Sequence, residues 1–214
     1  MKKYLLIFCA LFPICASAQV YKEDFDGATK LVWEEYAEKE RSALVQNGCF
    51  ELQSLDKHYN ATVNIKLPID VEADDFVIKA EILVPRINDK DRFGIFFDND
   101  SNFHSRGVLF CENRAYSGKI MDDYVDKSEF EEDSRYKLNP NARFRGGRMH
   151  RIKLESGKNK VVNIELKKRG LKFTVSINNM QVVEFPKEEM KNALFGFYTE
   201  TSMQIRSFEL YVDE

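Results

Sequence analysis

Residues 163–185, "NIELKKRGLKFTVSINNMQVVEF", identify the fold class, because apolar and polar residues alternate along them with a period of two. Such alternation is typical of β-strands with one buried and one exposed face. It is interrupted by two dipeptides, Arg169-Gly170 and Asn178-Asn179, and Asn and Gly accept the positive φ angles that tight hairpin turns require. The segment therefore predicts three antiparallel strands joined by two short turns.

The same alternation continues along most of the chain, as in "ATVNIKLPI" (61–69) and "DFVIKAEILV" (75–84). No long segment shows the 3.6-residue apolar period of an amphipathic helix, and only "WEEYAEKER" (33–41) is helix-capable by its composition. Many short strands separated by turns predict an all-β sandwich or barrel, expected as a single domain over residues 19–214. The predicted strands lie near residues 21–26, 42–46, 49–54, 61–67, 76–84, 92–97, 106–111, 150–155, 161–167, 171–177, 181–185, 193–198 and 204–212.

One segment, residues 112–148, does not alternate cleanly. It is highly charged, contains five tyrosine and phenylalanine residues, and includes the turn-forming pairs Asn139-Pro140 and Gly146-Gly147. A long irregular segment inside a compact domain is usually functional or poorly ordered. We therefore expect an irregular excursion from the sandwich over these residues.

Residues 1–18, "MKKYLLIFCALFPICASA", have the charged start, apolar run and small-residue end of a secretory signal peptide. Cleavage is expected before Gln19. The apolar run, residues 4–14, is shorter than the roughly 20 residues that span a bilayer. Lipidation of Cys15 is the alternative, and the bulky Ile14 in front of it disfavours that processing. We expect a secreted or periplasmic protein without a membrane span.

Charge and cysteine content bear on the partners and on one disulfide. Without Lys2 and Lys3, the remaining 30 basic and 35 acidic residues give a net charge of −5, which argues against a nucleic-acid partner. Cys49 and Cys111 are the cysteines beyond the leader, in a compartment that would permit a disulfide. Both lie in strand-like runs, where buried free thiols are also common. The sequence leaves open whether they form a bridge.

Several motifs follow one another in the order seen in a known group of domains: "EDFDG" with Trp33 after it, "VQNGCFELQS", "DFVIKAEI", "FGIFF" and "LFGFYTETSMQIRSFELYV". In this series the chain resembles the secreted concanavalin A-like (laminin G-like) jelly-roll domains of Bacteroidetes. Those domains are fold relatives of laminarinase-type glycoside hydrolases and of keto-disaccharide hydrolase domains. The resemblance covers nearly all of residues 19–214 except 112–148, and it implies an antiparallel jelly-roll sandwich of two sheets. We expect Trp33 to pack in the core or at a sheet edge.

Residues 98–102, "DNDSN", carry Asp and Asn at the spacing of the first ligands of a calcium loop. A full loop also has glycine at its sixth position and glutamate at its twelfth, where this chain has Phe103 and Leu109. Since Asp and Asn also favour hairpin tips, we expect a hairpin here and neither a metal ligand set nor a cofactor. A second calcium alternative, in which Asp26 pairs with the acidic C-terminus, stays open.

No residue pattern indicates a catalytic site. Glycosidases need two carboxylates, and the nearest candidates, Glu129, Glu131 and Asp133, lie in a highly charged run without the laminarinase-type motif. Acidic runs of this kind are usually solvated surface. The three histidines lack the spacing of zinc ligands, and no Gly-x-Ser-x-Gly motif marks a nucleophilic serine. We therefore assign no catalytic residue.

The aromatic and arginine residues of the 112–148 segment are the best candidates for ligand contacts. Sugar rings stack on aromatic side chains while arginine bonds their hydroxyl groups, and both residue types are enriched at recognition surfaces. The candidates are Tyr116, Tyr124, Tyr136 and Arg145. Alternatively, these tyrosines only cover the open edge of the sandwich. The expected function is a non-catalytic binding module with a glycan as the favoured ligand. The alternatives are a glycoside hydrolase or related enzyme, and a protein–protein module of an envelope complex.

Overall fold

The computed structural model of the chain describes residues 19–56, 58–70, 74–99, 104–121, 143–186 and 190–213. These residues form fifteen β-strands in two antiparallel sheets, and no helix is found among them. Within the same ranges there is accordingly no helix long and apolar enough to cross a membrane. The predicted sandwich of two antiparallel sheets is confirmed.

The larger sheet contains both ends of the described chain. Its nine strands are β1 (Gln19–Glu23), β2 (Tyr36–Ala37), β3 (Arg41–Gln46), β4 (Cys49–Ser54), β6 (Asp75–Ile87), β11 (Gly157–Arg169), β12 (Lys172–Ile177), β13 (Met180–Phe185) and β15 (Ser202–Asp213). They are ordered β13-β12-β11-β6-β15-β4-β3-β2, and β1 pairs with β15 beyond the end of β4.

The smaller sheet has six strands. They are β5 (Ala61–Lys66), β7 (Phe93–Asn99), β8 (His104–Cys111), β9 (Arg114–Met121), β10 (Arg143–Arg151) and β14 (Leu194–Thr199). Their order is β10-β9-β8-β7-β14-β5, so that β10 and β5 are the edges. Strands β7 to β10 follow one another as hairpins, whereas β14 enters the sheet between β7 and β5.

The main core lies between the sheets, where alternate positions of both sheets point inward. Trp33 is buried there, with its ring centroid 4.9 Å from those of both Phe25 and Phe50. The ring also contacts Phe197 of the smaller sheet and Phe208 of the larger one, at 6.2 and 5.6 Å. Trp33 therefore joins the two sheets, and its predicted place in the core is confirmed.

The hairpins predicted within residues 163–185 are confirmed. Strand β11 pairs with β12 through a turn at Gly170, whose φ is +54°. Strand β12 pairs with β13 through Asn178 and Asn179, whose φ angles are +50° and +63°. These are the left-handed conformations that Gly and Asn adopt at little cost.

The helix-capable segment 33–41 is not helical. Tyr36 lies in the short strand β2, where its hydroxyl accepts a hydrogen bond from the Thr62 N–H at 3.1 Å and donates one to the Thr62 carbonyl at 2.8 Å. The buried Arg41 guanidinium lies 5.0 Å from the Tyr36 ring centroid. These tertiary contacts override a helix propensity that rested on composition alone.

The expectation of an irregular excursion over residues 112–148 is wrong at both ends of that segment. Residues 114–121 and 143–151 form β9 and β10, which pair with each other in antiparallel register. The strand predicted near residues 150–155 corresponds to the end of β10, which finishes at Arg151. The apolar alternation is weak here because several outward positions, such as Gly118 and Gly147, have no side chain. Residues 122–142 lie outside the described residues.

Cys49 and Cys111 are free thiols, so the disulfide left open above is not formed. Cys49 begins β4 in the larger sheet, and its Sγ donates to the Gln46 carbonyl at 3.3 Å. Cys111 ends β8 in the smaller sheet. Both side chains are buried, and burial raises the pKa of each thiol.

The hairpin between β7 and β8 is confirmed, although Asp98 has a different role from a loop-tip residue. Asp98 sits at a bulge in β7 with a φ of +57° and is buried. One carboxylate oxygen accepts the N–H groups of Lys191 and Asn192 at 2.7 and 3.2 Å, and the other accepts Arg106 Nε at 3.1 Å. Asp98 thus joins β7 to the residues before β14.

The pairing of Asp26 with the acidic C-terminus, on which the second calcium alternative rested, is contradicted by the strand register. Strand β1 runs antiparallel to β15, with Gln19 opposite Val212 and Glu23 opposite Phe208. Asp26 follows Glu23 and therefore lies at the far end of β15 from the acidic C-terminus. Its carboxylate instead lies beside the β3–β4 turn, because a Cβ atom on Gly48 would be 2.7 Å from Asp26 Oδ1.

Candidate functional site

The outer face of the six-stranded sheet carries a second apolar layer. Its buried residues, on the side of the sheet away from the main core, are Phe96, Leu109, Ile120, Leu194 and Tyr198. The register places Gly196, Phe96, Gly107, Gly118 and Gly147 in one row across the strands. A face that also buries apolar side chains is unusual for an antiparallel sheet, which commonly exposes one side to water.

Glycines in this row make room for the rings beside them. A Cβ atom on Gly196 would lie 2.2 Å from Phe96 Cζ, so the Phe96 ring lies directly over that glycine. A Cβ atom on Gly107 would lie 3.0 Å from Ile120 and 3.4 Å from Phe144. Glycine inside a strand often marks such a close approach. The half-buried Phe144 ring can therefore lie low on the sheet.

An ion pair between Arg92 and Glu200 borders this layer. The Arg92 N–H donates to Glu200 Oε2 at 2.9 Å, Arg92 Nε donates to Oε1 at 2.8 Å, and Nη2 also contacts Oε1. Burial lowers the pKa of Arg92, but the hydrogen bond to Glu200 and the Glu200 charge, together with Tyr198 and Tyr116, raise the pKa overall. The Tyr198 hydroxyl donates to Glu200 Oε1 at 3.4 Å, and burial followed by the Glu200 charge raises the pKa of Tyr198.

Two aromatic rings stand beside this ion pair. The Tyr116 and Phe144 centroids are 6.4 Å apart with the rings at 70°, and the Arg92 guanidinium carbon lies 5.7 Å from the Phe144 centroid. Arg114 Nη1 donates to the Tyr116 hydroxyl at 3.4 Å. We refer to these residues as the Arg92 cluster, which consists of Arg92, Tyr116, Phe144, Tyr198 and Glu200. It combines partly exposed rings with a fixed donor and a fixed acceptor.

The four predicted ligand-binding residues lie partly inside and partly outside the described structure. Tyr116 lies in the Arg92 cluster. Arg145 belongs to β10 with its Cα opposite that of Lys119, and its side chain lies outside the described part of the structure. Tyr124 and Tyr136 also lie outside the described residues.

Sequence reasoning missed the other four members of the cluster. Arg92 precedes β7, Glu200 follows β14 and Phe144 is the second residue of β10, so only the strand order brings them together. The one local signal was the sequence Tyr198-Thr199-Glu200, which places a tyrosine and a glutamate on the same face at the end of a strand.

A serine–histidine contact lies near the same edge of the sheet. Ser117 Oγ and His150 Nε2 are 3.0 Å apart, and Ser117 Oγ also donates to the Arg148 carbonyl at 3.4 Å. Burial, followed by the nearby Arg148 charge, lowers the pKa of His150. Within the described chain, no carboxylate is found bonded to His150 as a triad would require.

The outer face of the nine-stranded sheet carries a groove of about 400 Å³. Lys79 lies on its floor with Glu165 and Glu209 as its direct cross-strand neighbours, and Lys22 pairs with Glu209 at 3.2 Å. The Tyr211 hydroxyl also donates to Glu209 at 2.5 Å. Because oppositely charged side chains are neighbours across these strands, the charges on this face largely neutralise one another.

Comparison with known proteins establishes the fold class. No family model matches the chain, and no curated protein sequence matches it. Among solved structures, a carbohydrate-binding module (CBM66) from Bacillus subtilis aligns with a TM-score of 0.51 and 11% identity, over 81% of this chain and 91% of that one. A β-glucanase from Bacillus licheniformis aligns with a TM-score of 0.58 and 5% identity, over 91% and 98%. The carbohydrate recognition domain of Emp47p aligns with a TM-score of 0.53 and 9% identity, over 94% and 99%. At identities this low, the structural alignments show a shared fold only, which is the concanavalin A-like jelly roll.

Proposed function

We propose that the protein is an exported, non-catalytic module of the Bacteroidetes type it resembles, and that it binds a glycan on the outer face of its six-stranded sheet. The observation that carries this proposal is the Arg92 cluster. Half-buried Tyr116 and Phe144 offer ring surfaces for the apolar faces of a sugar, and the Arg92–Glu200 pair offers a donor and an acceptor beside them. Ligand sites of this kind are mostly apolar with a few convergent polar groups.

The fold neighbours support a carbohydrate ligand. They include a carbohydrate-binding module, a carbohydrate recognition domain and several glucanases. Proteins with a common fold can nevertheless have unrelated functions, so the weight of the proposal rests on the residues of the cluster.

The hydrogen bonds made by the Glu200 carboxylate support a non-catalytic role. A glycosidase needs one carboxyl group to protonate the leaving oxygen and a second to act as base or nucleophile. Both Glu200 oxygens accept hydrogen bonds from Arg92, and Oε1 accepts a further one from Tyr198. A carboxylate engaged in this way is suited to orienting Arg92 and accepting a sugar hydroxyl, and it is poorly placed to transfer a proton.

Replacing Tyr116 with alanine is expected to weaken glycan binding by about tenfold, because truncating a central aromatic contact costs ~1–3 kcal/mol. The unfolding midpoint should change little, since the ring is only partly buried. Isothermal titration with laminarin, mixed-linkage β-glucan and polygalacturonate oligosaccharides, compared between wild type and variant, measures the effect.

Tyr211→Ala is the matched control. Tyr211 is also a half-buried strand tyrosine with a hydroxyl near a charged side chain, but it lies on the nine-stranded sheet. If Tyr211→Ala weakens binding and Tyr116→Ala does not, the ligand site is on the other face of the sandwich. If Tyr116→Ala lowers the midpoint by several degrees and binds normally, the tyrosine is structural cover.

Export is a further part of the proposal and rests on the leader pattern of residues 1–18. We expect the protein recovered outside the cytoplasm to begin at Gln19, as intact-mass and N-terminal peptide spectra would show. A lipid-modified Cys15 at the N-terminus would contradict this and would place the protein on a membrane surface.

A further inference from the structure

The hairpin formed by β9 and β10 is strongly basic. Its two strands, "RAYSGKIM" and "RFRGGRMHR", contain six arginine and lysine residues and no acidic residue. The whole chain, by contrast, has a net charge of −3. Among the described residues, positive charge is therefore concentrated on these two strands, which lie at one edge of the six-stranded sheet beside the Arg92 cluster.

Two of these arginines are cross-strand neighbours on the ligand face. Arg114 and Arg151 are direct partners in the β9–β10 register, and both are exposed. They occupy the same face as Tyr116, which is two residues from Arg114 along β9. Like charges directly opposite each other destabilise a sheet. On the nine-stranded sheet, in contrast, Lys79 has glutamates as both of its cross-strand neighbours.

The neighbouring residues add an apolar surface beside Arg114 and Arg151. Tyr116 and Met149 form the next cross-strand pair on the same face, and Met149 is 52% exposed. Arg114 is oriented by its hydrogen bond to the Tyr116 hydroxyl. The carboxylate of Asp89 also interacts electrostatically with Arg114, as the smallest of the influences on its pKa.

We propose that the glycan is anionic, with its carboxylate or sulfate group bound between Arg114 and Arg151 and its sugar ring lying over Tyr116 and Met149. This inference rests on the proposed glycan-binding function. Guanidinium groups bind carboxylates and sulfates through paired, charge-assisted hydrogen bonds. An anion bound between the two arginines would contact both of them and offset their mutual repulsion. Binding of such an anion would explain why two arginines are cross-strand neighbours here.

The test compares one saccharide with and without its charge. The protein is titrated with three saccharides: oligogalacturonate, the same oligosaccharide after reduction of its carboxyl groups, and sulfated carrageenan oligosaccharides. The three titrations distinguish carboxylate, neutral and sulfate ligands. The variants are Arg114→Gln and Arg151→Gln. Arg206→Gln, which removes the same charge from an exposed position on the nine-stranded sheet, is the control for net charge.

We expect oligogalacturonate or carrageenan to bind, and the carboxyl-reduced saccharide to bind at least tenfold more weakly. Arg114→Gln and Arg151→Gln should each weaken the anionic ligand by about tenfold, as expected for one charge-assisted contact, while Arg206→Gln should not. Neither ligand-face variant should lower the unfolding midpoint, because each relieves a repulsion.

Equal binding of the carboxyl-reduced saccharide, or unchanged affinity in both arginine variants, would overturn the anionic ligand and leave the glycan-binding proposal standing. A lowered midpoint with normal affinity would assign the arginines a structural role and would also overturn it. Binding of neither the charged nor the neutral saccharides, including laminarin, would overturn both proposals together.

Discussion

Replacing Asp98 with alanine is expected to lower the free energy of unfolding by about 3–5 kcal/mol, the range for breaking a buried ion pair. The side chain is only 4% exposed. Its removal leaves the Arg106 guanidinium without this partner and leaves the N–H groups of Lys191 and Asn192 without their acceptor. Urea unfolding of the wild type and the variant measures the difference.

Two comparisons make this result specific. Asp98→Asn should cost less than Asp98→Ala, because asparagine keeps an acceptor oxygen and tolerates the +57° φ of this position. Asp24→Ala, at an exposed position, should change stability by less than about 0.5 kcal/mol.

Calcium provides a further check on the same carboxylate. Since N–H groups and a guanidinium already occupy the Asp98 oxygens, adding calcium or a chelator should change the unfolding midpoint little. A calcium-dependent rise that disappears in Asp98→Ala would contradict the assignment of Asp98 as a structural anchor.

Trp33→Ala is the second substitution with a large expected effect, a loss of about 3–5 kcal/mol, which is typical when a buried tryptophan is truncated. The indole touches aromatic rings from both sheets, so its removal opens a cavity that neither sheet can fill alone. Thermal and urea unfolding, followed by far-UV circular dichroism because the probe tryptophan is absent, would measure it.

Trp33→Phe should cost clearly less than Trp33→Ala. The indole Nε1 is buried without a hydrogen-bond partner among the described residues, so phenylalanine removes an unsatisfied donor while keeping most of the ring packing. The adjacent Val32 is 74% exposed, and Val32→Ala should change stability by no more than about 0.5 kcal/mol. A loss below 1 kcal/mol in Trp33→Ala would show that the indole does not join the two sheets.

Much of the fold could be predicted from the sequence because most strands bury only one face. Strands such as β6 and β12 alternate apolar and polar residues, and the turns at Gly170 and Asn178 carry residues suited to positive φ. The prediction failed at β9 and β10, where glycines and arginines take outward positions and the apolar period is lost. An alternating apolar pattern arises when only one face of a strand is buried. Where the outer face is packed as well, that pattern weakens and no longer indicates a strand.

The candidate site was harder to predict than the fold. Composition pointed to Tyr116, but the side chains around it come from distant parts of the chain. Arg92 and Glu200 are separated by 108 positions, and their contact depends on where β14 enters the sheet. The sequence around either residue carries no mark of that pairing.

The most direct test of the proposed glycan-binding face is a map of backbone amide shifts in the ¹⁵N-labelled protein on addition of the tightest-binding oligosaccharide from the panel. We predict that the largest shifts fall on Arg92, Tyr116, Phe144 and Glu200 and on their neighbours in β8 to β10. Shifts concentrated instead around Lys79, Glu165 and Ser207, which line the groove of the nine-stranded sheet, would contradict the account.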